Sequence, residues 1–232
     1  MKQIKNVTTA KHMPHLPHMK RRTQILTATA LTGAFLTGSV ALADAQGWWS
    51  PGPKTVRVML PEGQTNPSIA NGVAVGGEVA VYQSSGLGPT ALNPSAPEGT
   101  PERFTDPALT EGATGVTITE AQALVVLRNI KTNLEAAGLK PADVITMKAY
   151  LANPPGTEIA DYAGWNRAYR QYFANIDLKS HEVVPVPMGT SPAKAPLLAN
   201  DARPARVSLE VASLPVPGWL VEVEVTARYK KR

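Results

Sequence analysis

One arginine and two glutamates near the end of the chain have the types and spacing to do chemistry. Arg206 heads the run Arg206-Val-Ser-Leu-Glu210, and Glu222 and Glu224 alternate with Val221, Val223 and Val225. Side chains alternate across a strand, so Val207, Leu209 and Val211 share one face and Arg206, Ser208 and Glu210 the other. In the second run Glu222 and Glu224 point opposite the valines. Pro215, Pro217 and Gly218 between the runs read as a turn, so the pattern predicts a hairpin. A guanidinium is a planar fork that suits a carboxylate. A nearby glutamate can hold a water or move a proton. The two groups would then line one pocket. The same polar faces would also suit the solvated outer side of a hairpin, so the pattern alone leaves both readings open.

Composition removes several other chemistries. The chain has 232 residues and no cysteine, which excludes disulfides, thiolate nucleophiles and Cys metal sites. Three of the four histidines (His12, His15, His18) precede residue 45, and His181 stands alone in a proline-rich stretch. That argues against a histidine metal cluster or a Ser-His-Asp triad, and neither a metal nor a cofactor is expected. The formal charge is +5, from 23 Lys and Arg against 18 Asp and Glu. Six of the basic residues and one acid (Asp44) lie in residues 1–45, which leaves 17 of each sign. The remainder is near neutral, so no basic patch remains for a nucleic-acid partner.

The elements that must position these groups follow from pattern. Residues 1–45 read as a cleavable export signal: Lys20-Arg21-Arg22, an apolar run from Ile25 to Val40, then Ala43-Asp44-Ala45. The run is shorter than the roughly 20 residues a membrane span requires. The expected mature protein therefore starts near Gln46, is periplasmic or secreted, and keeps no stable membrane anchor. Residues 46–232 are expected to form a single domain. Thr55–Leu60 and Val79–Gly86 alternate as strands, the second read as central. Thr119-Glu120-Ala121-Gln122 has a capping-box pattern with Thr119 at the N-cap. It opens a helix whose apolar face carries Ala123, Val126, Leu127, Ile130, Leu134 and Ala137 and which stops at Gly138. Asp143–Leu151 is the next strand, and Ile159–Phe173 a second helix with an aromatic face read as core. Residues 88–116 and 177–203 are long Pro-rich loops, the first a candidate lid.

Pro204-Ala205-Arg206…Val211-Ala212-x-Leu214-Pro215…Val221-Glu222-Val223-Glu224 closely resembles the C-terminal signature of the Rid family (reactive intermediate deaminases, also called YjgF). Two further stretches agree in order: the strand ending in Ser85-Gly86, and Asn166-x-x-Tyr169-x-x-Tyr172-Phe173 on the second helix. The resemblance implies an α+β, chorismate-mutase-like mixed sheet backed by two helices on one face. It also implies a homotrimer with sites between subunits, and hydrolysis of 2-imino or 2-enamino acids to 2-keto acids and ammonia. Under it, Arg206 binds the substrate carboxylate and Glu222 positions or activates water. Ser85, Gly86, Asn166 and Ser208 contact substrate. The chain departs from the pattern in two places. The family's early-loop tyrosine falls near Gly72, beside Asn71, and Ser208 stands where a cysteine is common. An exported, non-catalytic trimer that binds small carboxylates is the alternative.

Overall fold

The computed structural model of the protein describes residues 51–230. The export-signal expectation for residues 1–45 falls outside the described residues. The elements run β1 (Val56–Met59), β2 (Gly72–Val75), β3 (Val81–Gln83), α1 (Ile118–Ala136), β4 (Val144–Leu151), α2 (Tyr162–Arg170), β5 (Ala205–Glu210) and β6 (Val221–Arg228). β1 and β2 form an antiparallel pair, and the other four strands form a mixed sheet in the order β3-β6-β4-β5. The expected α+β architecture, two helices packed on a mixed sheet, is what forms.

The sheet corrects two expectations. β5 and β6 are not a hairpin. β4 lies between them, parallel to β5 and antiparallel to β6. α2 provides the crossover that a parallel neighbour demands. The Pro/Gly segment around Pro215 instead carries the chain past the end of β4. The strand ending at Ser85-Gly86 is not central either: β3 is short and lies at the edge of the described sheet, paired there with β6.

α1 begins two residues earlier than its sequence pattern suggests. Thr117 is the N-cap, and its Oγ1 accepts the N–H of Glu120 at 3.1 Å. Thr119 lies inside the helix, fully buried. The C-terminal end is as read. Gly138 has φ 74°, and Gly138 N–H and Leu139 N–H donate back to Glu135 O (3.0 Å) and Leu134 O (2.8 Å). That is a Schellman closure, which glycine allows at no steric cost. α2 is shorter than expected. Asp161 caps it, accepting Gly164 N–H at 2.7 Å. The two caps meet, Thr117 Oγ1 donating to Asp161 Oδ2 at 2.5 Å, so both helices start from one corner.

β6 alternates strictly, with Val221, Val223, Val225 and Ala227 buried beneath the helices. Leu124, Leu127, Ile130 and Leu134 of α1 meet them, with Met147, Ala149 and Leu151 of β4 and Trp165, Tyr169 and Phe173 around α2. Each such large side chain stabilises the fold by about 1.5–3 kcal/mol. Among the described residues no helix is long and apolar enough to cross a membrane.

The long loops are strung on polar side chains. Gln122 donates to Pro101 O and Gly218 O and accepts from Leu220 N–H. Arg103 donates to the carbonyls of Asn93, Pro94 and Ala96. Gln171, Asn175 and Asn200, all buried, hold residues 187–200 in the same way. The loops also join each other at Thr114 and Thr190. Residues 88–116 therefore brace the flank of α1.

Candidate functional site

Strand register decides where each candidate side chain points. Arg206 pairs with Met147, and Met147 with Val225. Leu209 pairs with Tyr150, and Tyr150 with Glu222. Met147 and Val225 are buried under the helices, so Arg206, Ser208 and Glu210 share the helix-covered face. Glu222 and Glu224 lie on the opposite face with Val207, Leu209, Lys148 and Tyr150. Within one chain, then, Arg206 and Glu222 are separated by a strand and point to opposite sides of the sheet. The apolar side of β5 is the open one: Val207 is 41% and Leu209 47% exposed.

Arg206 is held by α2. Its Nη2 donates to Asn166 Oδ1 at 2.6 Å. Its guanidinium carbon sits 4.2 Å from the ring centroid of Tyr169 and 5.8 Å from that of Trp165. A guanidinium over an aromatic face is attracted by about 0.5–2 kcal/mol. Nη1 is buried with no acceptor among the described residues, and a buried N–H without one costs about 1–3 kcal/mol. Desolvation lowers the Arg206 pKa below its ordinary value, and the Tyr169 phenol opposes that shift. Burial in turn raises the phenol of Tyr169 well above its usual range, against the pull of Arg206, Arg170 and Arg203. Such a guanidinium is oriented, partly dehydrated and short of one acceptor, which suits a carboxylate.

Ser208, two residues along the same face, accepts Trp165 Nε1–H on its Oγ at 2.9 Å. Asn166 is exposed beside Arg206. The structure thus brings together Arg206, Ser208 and Asn166.

Ser85, Gly86 and Glu222 form a second group. Ser84 exchanges two backbone–strand hydrogen bonds with Val225, through its N–H and its Oγ. Leu87 pairs with Val223 by two more. Ser85 and Gly86 bulge opposite Glu224, and a bulge re-aims the chain at a sheet edge. The Glu222 carboxylate lies directly against Gly86. Ser85 is exposed. A cleft of about 260 Å³ between β1 and the start of β4, lined by Val58, Val144, Ile145 and Arg228 among others, contains neither group.

The sequence pattern of the family described as endoribonuclease L-PSP matches residues 107–229. The chain belongs to that family, also called Rid or YjgF. A RutC family protein of Pyrococcus horikoshii is 33% identical over 110 residues, 47% of this chain and 61% of the relative. The match thus spans less than two thirds of that relative. Among solved structures, a Rid-family protein of unknown function from Yersinia pestis is 20% identical, covering 75% of this chain and 98% of its own, with a TM-score of 0.43. The YjgF gene product of E. coli is 23% identical, covering 78% and 100%, with a TM-score of 0.37.

Three residues of this Rid protein were not singled out as site residues by pattern. Trp165 and Tyr169 read as core, Tyr169 also as part of the family motif that holds Asn166, and they are core, at 0% and 1% exposure. Their spacing around Asn166 was the available signal. Glu120 is fully buried in α1 and binds Arg167 at 2.8–2.9 Å and Gly189 N–H at 2.9 Å. It joins α1, α2 and the second long loop at the residue next to Asn166.

Proposed function

We propose that the protein hydrolyses 2-imino and 2-enamino acids to 2-keto acids and ammonia. Arg206 carries the reading: a guanidinium lying over the Tyr169 ring, held by Asn166, with a buried Nη1 that has no acceptor among the described residues. The substrate carboxylate meets that fork, which leaves the imine carbon beside it as the electrophile. The substrate enters as the protonated iminium; Glu222 takes a proton from water as the water oxygen bonds to that carbon, and the C=N electron pair moves to nitrogen. The tetrahedral carbinolamine then collapses. Glu222 passes its proton to the nitrogen, the hydroxyl oxygen forms the new C=O and gives its own proton back to Glu222, and the C–N bond breaks to release ammonia. Imine plus water thus gives keto acid plus ammonia. An enamine enters by tautomerising to the imine. Backbone groups near Gly86 and Ser208 would hold the substrate.

Because Arg206 and Glu222 face opposite sides of one sheet, we read the site as built between copies of the chain in a homotrimer. Exposed Val207 and Leu209, on the same open face as Glu222, support this reading. We also take the chain to act outside the cytoplasm, on the sequence pattern of residues 1–45. Sequencing the N-terminus of protein recovered from its native host tests this, with a start near Gln46 expected.

The test of function is direct. An amino-acid oxidase generates 2-imino acids in situ, and keto-acid release is followed with and without the protein. Acceleration that vanishes in Arg206→Ala is expected. Carboxylate binding without acceleration across several imino acids would replace the deaminase with the non-catalytic carboxylate-binding trimer.

A further inference from the structure

We propose that Trp165 and Tyr169 are positioning residues of the carboxylate anchor as well as core side chains. With Asn166, they fix the plane and direction of the Arg206 guanidinium so that its remaining N–H groups receive a planar carboxylate. This rests on the reading of Arg206 as that anchor.

The arrangement follows from two periodicities. On α2, residues 165, 166 and 169 fall within one arc of the helix, and on β5, residues 206 and 208 share a face. The helix therefore offers two rings and one amide to one arginine and one serine. Tyr169 lies against the guanidinium at 4.2 Å, and Trp165 stands 5.8 Å away. Asn166 Oδ1 takes Nη2–H, which selects one rotation within that plane. Nη1 is buried and has no acceptor among the described residues.

Each ring is itself tethered. The Tyr169 hydroxyl donates to Ser68 O at 2.8 Å, in the loop before β2. Trp165 Nε1–H donates to Ser208 Oγ. That bond occupies a lone pair of Ser208 and leaves its own O–H to donate to another acceptor. Trp165 thus sets the polarity of Ser208 as well as flanking Arg206.

The test separates ring electrostatics from packing. Tyr169 is replaced by Phe and by mono-, tri- and pentafluorinated phenylalanine, which keep the shape while progressively removing the negative ring face. Binding of 2-oxobutanoate, a stable keto-acid product, is measured by calorimetry, and KM and kcat for the imino acid are measured beside it. Kd and KM are expected to rise together along the series, by about tenfold at pentafluorophenylalanine, while kcat moves less than about twofold. Tyr169→Phe is the reference for the series and is expected to bind more weakly than the parent, because it lacks the hydroxyl bond to Ser68 O. Trp165→Phe, which removes the bond to Ser208, is expected to raise Kd as well. A flat fluorination series in folded protein would overturn the proposal. If turnover is absent in every protein while Kd still climbs along the series, the deaminase reading falls and this one stands. If Arg206→Ala binds 2-oxobutanoate as tightly as the parent, the anchor itself is refuted, and this proposal with it.

Discussion

The Glu222 carboxylate fills the space where a side chain on Gly86 would begin: a Cβ built there would lie 1.9 Å from Oε1 and 2.8 Å from Cδ. The backbone on both sides is fixed, by Ser84 to Val225 and by Leu87 to Val223. The flexible carboxylate must therefore give way in Gly86→Ala. Such a shift is cheap for stability, yet a misplacement of about 1 Å in a reacting group can cost on the order of 100-fold in rate. Gly86→Ala is expected to melt within a few degrees of the parent and to lose at least about tenfold in turnover of 2-imino acids. Parental turnover in that variant would show that Glu222 need not stay where it is.

The opposite orientations of Arg206 and Glu222 give a second prediction. If the site is shared, Arg206→Ala and Glu222→Gln chains are each inactive alone but complement when mixed. A neighbouring pair restores a site when the first chain keeps its arginine and the second its glutamate. Random co-assembly in a closed ring would return roughly a quarter of parental activity. Refolding the two variants together and assaying the mixture measures this. No recovery from well-assembled mixtures would mean that both groups of a working site come from one chain.

What the sequence made legible is local. The α1 face, its Gly138 stop, the β6 alternation and the aromatic stripe of α2 are repeats within a few residues, and each is found in the fold. The hairpin expectation failed because nothing between Glu210 and Val221 encodes that β4 will lie between the two strands. Pairing partners far apart in the chain are set by the sheet as a whole. The same gap hid the approach of Arg206 to Trp165 and Tyr169. Aromatic spacing announces burial, whereas the arginine that stacks on one of them comes from residue 206. Arg206, Asn166, Ser85 and Gly86 were visible as a family pattern, but not their division into two groups on opposite faces.

Glu120 and Arg167 give a stability prediction. Glu120 is fully buried, and Arg167 is a quarter exposed. Removing one partner of a buried pair costs about 3–5 kcal/mol, and the exposure of Arg167 moves the expectation to the lower end. Glu120→Ala also strands Gly189 N–H, which now donates to Glu120 Oε1. Urea unfolding is expected to show a loss of about 3 kcal/mol, with faster proteolysis in residues 177–203. An unchanged urea midpoint would show that the two helices and the loop hold together without this pair.

Asp177 sets an acid limit on that same loop. Its Oδ1 accepts the N–H groups of Lys179 and Ser180, both at 2.8 Å. These bonds hold its pKa below the ordinary 3.8, the Ser180 N–H contributing most. A carboxyl with a lowered folded pKa stabilises most fully above its unfolded value and loses that contribution as pH falls through the folded one. The turn also places His181 at φ 60°, a conformation that needs its surroundings to persist. Acidification through the folded-state pKa of Asp177, which lies below 3.8, is therefore expected to release the Lys179 and Ser180 amides before the sheet responds. Asp177→Ala should show the same release already at neutral pH. Amide exchange resolved by residue checks both. Protection at Lys179 and Ser180 that survives in Asp177→Ala would place the closure of the turn in its backbone bonds instead, Asp177 N–H to Glu182 O and His181 N–H to Asp177 O.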